Sequence, residues 1–147
     1  MGSVDIRYDV TRTRLRALGS ARVHSARWTG RPTSVGDLPL RFDRLGTRLC
    51  GIGPFDVRYA EGGGRPVALG AWPVRYDGDR LASIGPFGAR FEDGVLREIG
   101  PLLLRYDGEH HPVRVVCTDG RPGIDPGLTA VLFLVIHRRE YRTDLWE

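Results

Sequence analysis

His110, His111, Cys117 and Asp119 are the only close cluster in this chain whose residue types could hold a metal or activate a nucleophile. Their spacing argues against both. Adjacent histidines on a strand point to opposite faces, which makes a poor chelating pair. No Cys-x-x-Cys or His-x-x-x-His spacing occurs, although such spacings are how zinc sites announce themselves. A Cys–His nucleophile pair needs a base held beside the thiol, and the local sequence supplies no such arrangement. Gly62-Gly63-Gly64-Arg65 lacks the strand-to-helix context of a phosphate loop. The Asp and Glu residues mostly follow turn positions, so no carboxylate pair suited to acid–base work stands out. No catalytic or metal-ligating residue is assigned, and no cofactor is implied.

The second chemical signal is basic. Arg7, Arg41, Arg58, Arg75, Arg90 and Arg105 recur at a fixed place in a repeated phrase, with His24 at the same place in one copy. These six arginines are the candidate binding residues. Guanidinium groups repeated along a sheet would form a flat basic face for an acidic protein or a polyanion. The competing reading is that outward charges keep a sheet soluble and stop edge-to-edge pairing. Nucleic acid is the less favoured polyanion, because the aromatics of the phrase alternate to the other face and leave no stacking platform beside the arginines.

The phrase that positions these residues begins with a glycine, at Gly2, Gly19, Gly36, Gly53, Gly70, Gly85 and Gly100. The second, fourth and sixth residues after it are apolar almost throughout, as in Trp72, Val74 and Tyr76 or Phe55, Val57 and Tyr59. Period two over six residues predicts a strand with one buried face, and it places the fifth-position arginines on the opposite face. Turn chemistry follows at Asp77-Gly78, Asp93-Gly94 and Asp107-Gly108, where Asp-Gly favours a tight hairpin. A short return strand then ends in an aliphatic before the next glycine, as at Ile52, Leu69 and Ile84, with a second apolar residue three positions earlier, as at Leu49, Pro66 and Leu81. That odd separation breaks strict alternation. A bulge in the return strand would reconcile it, and so would a sheet covered on both faces.

The Gly19 copy is degenerate: Ser25 replaces the aromatic, and Trp28 falls where the others have turn residues. The sequence Arg12, Arg14, Arg16 predicts an exposed strand with one basic face. In the regular body, Asp43, Asp77, Glu92 and Asp107 follow the strand aromatic, while Arg48, Arg65 and Arg80 open the return strands. That pattern predicts ordinary cross-strand ion pairs.

Residues 117–127 read as a linker rich in chain breakers. Asp125 then resembles an N-cap before a first-turn proline, Pro126. Residues 128–142 are apolar first and basic last, and a helix is expected there, although Thr129, Val131, Val135 and Ile136 would equally suit a buried strand. The concave apolar face of a curled sheet could bury such a helix, and Trp146 could tuck against that sheet.

The chain has 147 residues, a formal charge of +4 and a hydrophobic fraction of 41%, with a pI near 9.6. These values suit one domain with a core. All 22 basic residues are arginine, and Lys, Asn and Gln are absent, a pattern that reads as GC-rich coding. Cys50 and Cys117 read as two reduced thiols. With no apolar leader and no apolar run longer than 130–136, no membrane association is expected and the cytoplasm is the expected compartment.

Arg75-Tyr76-Asp77-Gly78-Asp79-Arg80-Leu81 resembles the core of YD (Rhs-type) repeats, which run Tyr-Asp, two residues, Gly-Arg-Leu; Arg105-Tyr106-Asp107-Gly108 and Arg41-Phe42-Asp43 echo it. Short Ile-Gly…Tyr-Asp repeats of small bacterial proteins are similar too. The resemblance implies β-hairpins. This chain has shorter units and lacks the glycine before Arg-Leu.

The expected architecture is therefore mainly β: an antiparallel meander of about seven hairpins over residues 1–116, curled or closed like a barrel. A C-terminal helix packs on its apolar face. Two functions fit: a non-enzymatic binding module using the arginines or a sheet edge, the latter also a route to homo-oligomers, or a closed container for a small hydrophobic ligand.

Overall fold

The computed structural model of the chain describes residues 3–8, 15–27, 31–43, 48–60, 65–78, 80–92, 94–106, 112–118 and 125–141, the last five by backbone alone. Fourteen strands lie among them. They run in hairpin pairs: β1 (Ser3–Tyr8) with β2 (Leu15–Leu18), β3 (Ala21–Ser25) with β4 (Pro32–Val35), β5 (Leu38–Phe42) with β6 (Leu49–Ile52), and β7 (Phe55–Tyr59) with β8 (Pro66–Leu69). β9 (Trp72–Asp77) with β10 (Arg80–Ile84), β11 (Phe87–Glu92) with β12 (Val95–Ile99), and β13 (Leu102–Tyr106) with β14 (Pro112–Cys117) complete the set. Each strand pairs antiparallel with its sequence neighbours, and β14 pairs with β1, so the meander is a closed barrel.

The bulge is what lets each unit bury both apolar residues of its return strand. In all seven hairpins the register slips by one residue at the sixth position, an aromatic in every unit but that of Ser25: Arg58 faces Ala68 but Tyr59 faces Pro66, so Val67 is the extra residue. The same slip occurs in the other six. Leu81 and Ile84 therefore both face inward, at 3% and 0% exposure. Seven bulges at one level also bend every hairpin the same way, which favours closure.

Units are joined by two-residue turns at Gly19, Gly36, Gly53, Gly70, Gly85 and Gly100, with φ between 56° and 63°. A positive φ at the first turn position, followed by proline at Pro54, Pro86 and Pro101, is the type II′ signature. At Gly85 a side chain is excluded twice, by the φ of 57° and by the Trp72 ring, whose Cγ would lie 2.5 Å from a Cβ. The seam between β14 and β1 repeats a unit junction without its turn. Val4 faces Val115 there, as Phe55 faces Ile52 within the chain. The Tyr8 hydroxyl donates to the Pro112 carbonyl at 2.9 Å, as Tyr59 donates to Leu49 and Tyr76 to Pro66. The barrel thus has approximate sevenfold symmetry, and no unit has to serve as a cap.

Following the registers once around returns to β1 shifted by about 14 residues, a shear equal to the strand number. Equal shear and strand number give a strand tilt of about 36°, and fourteen such strands enclose a backbone radius of about 12 Å. That lumen takes one helix, about 10–12 Å across with its side chains, plus the inward side-chain layer of the wall.

The occupant is α1 (Pro126–Tyr141). All residues from Leu128 to Ile136 are buried, none above 6% exposure. A helix buried all round inside a single-layer barrel occupies its axis. Nine helical residues rise about 13 Å, which is also the height of a five-residue strand tilted by about 36°. Burial overrides the β-branched residues' preference for strand. Asp125 caps the helix: its Oδ1 accepts from the Leu128 N–H at 2.8 Å. Its carbonyl accepts from the Thr129 hydroxyl at 2.9 Å, which satisfies the one buried polar side chain of the described core. The helix therefore begins at Pro126 rather than at residue 128.

Candidate functional site

All six candidate arginines, and His24, are exposed on the outer wall. Closure changes what they form. A sheet rolled into a cylinder carries them as a belt around its circumference rather than as one flat face. Their neighbours divide them into three groups.

Arg41 and Arg90 are neutralised within the barrel. Arg41 reaches across β6 to Asp56 on β7, at 2.9 Å, and donates to the Gly53 carbonyl at 2.8 Å. It can lie flat because the residue it crosses is Gly51, where a Cβ would sit 2.2 Å from its guanidinium nitrogen. Arg90 pairs with Glu98, its partner on β12. Arg58 and Arg75 stand beside Ala68 and Ser83 instead, with Pro73 and Gly88 where the Arg41 set has Asp56. Ala68 is on the outer wall yet only 6% exposed, as expected if the Arg58 stem covers it.

Arg7 and Arg105 belong to the third group, at the seam. Arg105 on β13 faces Arg114 on β14, which faces Asp5 on β1. Two residues along β1, Arg7 faces Ala17 on β2, which faces Arg22 on β3. Arg16, the bulge residue of β2, is exposed beside Ala17. Five arginines thus span five adjacent strands with one carboxylate among the described residues there, Asp5, which pairs with Arg114 at 3.1 Å. Arg16, Arg22 and Arg114 are the site residues that sequence reasoning did not assign to the ladder. Arg22 holds the third position of its unit, an outward position, and that was the available signal.

A second set of arginines decorates one end of the barrel. Arg31, Arg48, Arg65, Arg80 and Arg97 lie over the rings of Phe42, Tyr59, Tyr76, Phe91 and Tyr106, each in the following unit. The closest is Arg65, with its guanidinium carbon 3.9 Å from the Tyr76 centroid. Each such contact contributes about 0.5–1 kcal/mol at an exposed site. Beyond the cross-strand ion pairing expected for Arg48, Arg65 and Arg80, these residues link neighbouring units.

Neither Cys50 nor Cys117 is in a disulfide, and Cys117 is buried. Among the described residues no group of three His, Cys, Asp or Glu could hold a metal, and no helix is long and apolar enough to cross a membrane. His110, His111, Asp119, Trp28, Trp146, Arg12, Arg14 and Gly62–Gly64 lie outside the described residues. The barrel wall is built the other way round from a membrane-spanning barrel, whose outer band is apolar and whose lumen is polar. Here the mid-height outer ring is arginine and histidine, and the lumen is aliphatic. Closure also pairs both edges of every described strand, which removes the sheet edge as a route to oligomers.

No protein-family model, no curated protein and no solved structure matches this chain.

Proposed function

We propose that the barrel is a non-enzymatic interaction module that engages an acidic partner through its outer arginines. One observation carries this reading: the seam gathers Arg7, Arg16, Arg22, Arg105 and Arg114 around a single carboxylate among the described residues, while Arg41 and Arg90 elsewhere on the belt are paired with Asp56 and Glu98. A sheet that needed outward charge only for solubility would mix both signs at the seam as it does around Arg41 and Arg90.

The alternative, a container for a small hydrophobic ligand, requires an interior that α1 occupies from Leu128 to Ile136. That occupancy favours the interaction module.

The test is retention on three immobilised polyanions: a sulfated polysaccharide, polyglutamate and duplex DNA. The native protein should be held on at least one and released by salt, and a variant with Arg7, Arg58, Arg75 and Arg105 all changed to Gln should flow through. Flow-through of the native protein on all three at low salt refutes the reading, as does undiminished retention of the variant.

A further inference from the structure

The seam has a geometry as well as a sign, and the geometry selects among acidic partners. The arginines form two groups. Arg105 and Arg114 lie at one level on β13 and β14; Arg7, Arg22 and Arg16 lie about two residues further along, spread over β1 to β3. With strands about 4.8 Å apart and a rise of about 3.4 Å per residue, the group centres are roughly 14 Å apart. The long side chains can close that to about 12 Å, the centre-to-centre separation of phosphates across a B-form DNA minor groove about 6 Å wide once a phosphate diameter of about 6 Å is added.

Two further observations narrow the partner. The only large hydrophobic residue exposed beyond a third of its surface, among those described, is Val67 at 39%, on β8 and away from the seam. A protein partner would want an apolar anchor at the centre of its interface, whereas a phosphate backbone needs none. The aromatic rings are also committed elsewhere. Trp72 is stacked on Phe55 at 5.9 Å, edge-on to Phe87 at 5.2 Å, and lies where a Gly85 side chain would be. The tyrosines Tyr59 and Tyr76 carry arginines on their faces. Among the described residues a single strand would find no outward-facing ring to stack on at the seam, but a duplex keeps its bases to itself and presents only phosphates.

Building on the interaction-module reading, we infer that the seam docks the backbone of duplex DNA across its minor groove, without sequence preference. Arg105 and Arg114 contact one phosphate row; Arg7, Arg22 and Arg16 contact the other. Among the described residues Asp5 is the single group there that repels the ligand. A domain pI near 9.6 with arginine gathered on one face accords with this role.

The experiment is fluorescence anisotropy on the full chain with four labelled probes: a 24-base-pair DNA duplex, the RNA duplex of the same sequence, single-stranded DNA, and polyglutamate. The DNA duplex should bind tightest, with a slope of log K against log salt of about −4.5, as five phosphate contacts require. R7Q/R22Q should weaken duplex binding about tenfold or more and bring the slope to about −3. R58Q/R75Q removes the same charge from elsewhere on the belt and should cost about threefold at most. D5N should tighten binding by about twofold to threefold, a gain that misfolding cannot mimic. Equal losses from the two double variants overturn the seam assignment, and so does an unchanged or weakened D5N. Tighter binding of RNA or polyglutamate overturns the choice of DNA while leaving the broader reading intact. Failure of all four probes overturns the docking of DNA, and the broader reading falls with it if the sulfated polysaccharide also fails to retain the protein.

Discussion

The inner and outer walls of this barrel are made by the same seven repeats, yet they tolerate variation very differently. On the inner wall the residue before each junction is aliphatic in every unit, and Leu18, Val35, Ile52, Leu69, Ile84, Ile99 and Val115 are all at 0–1% exposure. On the outer wall the third position runs Asp5, Arg22, Pro39, Asp56, Pro73, Gly88 and Leu103. A closed lumen filled by one helix leaves little room for change, because packing at interior density penalises even a methylene. The outer positions meet water, so each unit can differ, and recognition can be written only there. The contrast predicts that energetic effects fall steeply from axis to surface.

The largest effect should come from the axis. Phe133 is fully buried on α1, so Phe133→Ala should cost about 3–5 kcal/mol. The check is the denaturant midpoint, with the slope unchanged. A loss under about 1 kcal/mol would mean that α1 is not the packed centre of the barrel. An intermediate effect belongs to the corners. Gly85→Ala forces a side chain into φ 57° and against Trp72, for about 2–4 kcal/mol in all. Gly78 has a similar φ of 65° with nothing near its missing side chain, so Gly78→Ala should cost only the backbone share, about 1–2 kcal/mol. Equal losses would show that the Trp72 contact costs nothing to displace.

Most of the fold was legible because it is written in short-range terms. Period-two apolar spacing, Asp-Gly turns and repeated glycines specify hairpins within about 17 residues of chain. The odd spacing of Leu81 and Ile84 pointed to a bulge, and Asp125-Pro126 marked the helix start. What stayed hidden is what closure creates. Pairing Val4 with Val115 joins the two ends of the meander, and nothing local to either strand says whether the sheet stops at seven units curled or seven units closed. The candidate site suffered the same way. Arg105 and Arg7 are visible as members of a ladder, but that they meet at a seam with Arg114 and Arg22 depends on that long-range pairing. The stacking of Arg65 on Tyr76 was hidden for a related reason: it is a contact between units, and the pattern of Asp and Arg speaks only to contacts within one unit.

The smallest effect should arise on the outer wall, at Gly51. Its φ is not in the left-handed region, so alanine there would shrink the unfolded ensemble and stabilise by about 0.4–1 kcal/mol. The same methyl would push the Arg41 guanidinium off β6, since a Cβ would lie 2.2–2.5 Å from its Nη2, Cζ and Nε. Displacing it loosens the pair with Asp56, whose partners are 50% and 65% exposed and which is therefore worth only about 0.2–1 kcal/mol. The two terms nearly cancel, and Gly51→Ala alone should change stability by less than about 0.5 kcal/mol. The pair of effects can be separated with Arg41→Gln, whose shorter side chain no longer lies across the strand. In that background Gly51→Ala should become stabilising by about 0.4–1 kcal/mol. A destabilising result there would mean that the glycine is required by the wall itself rather than by the arginine that crosses it.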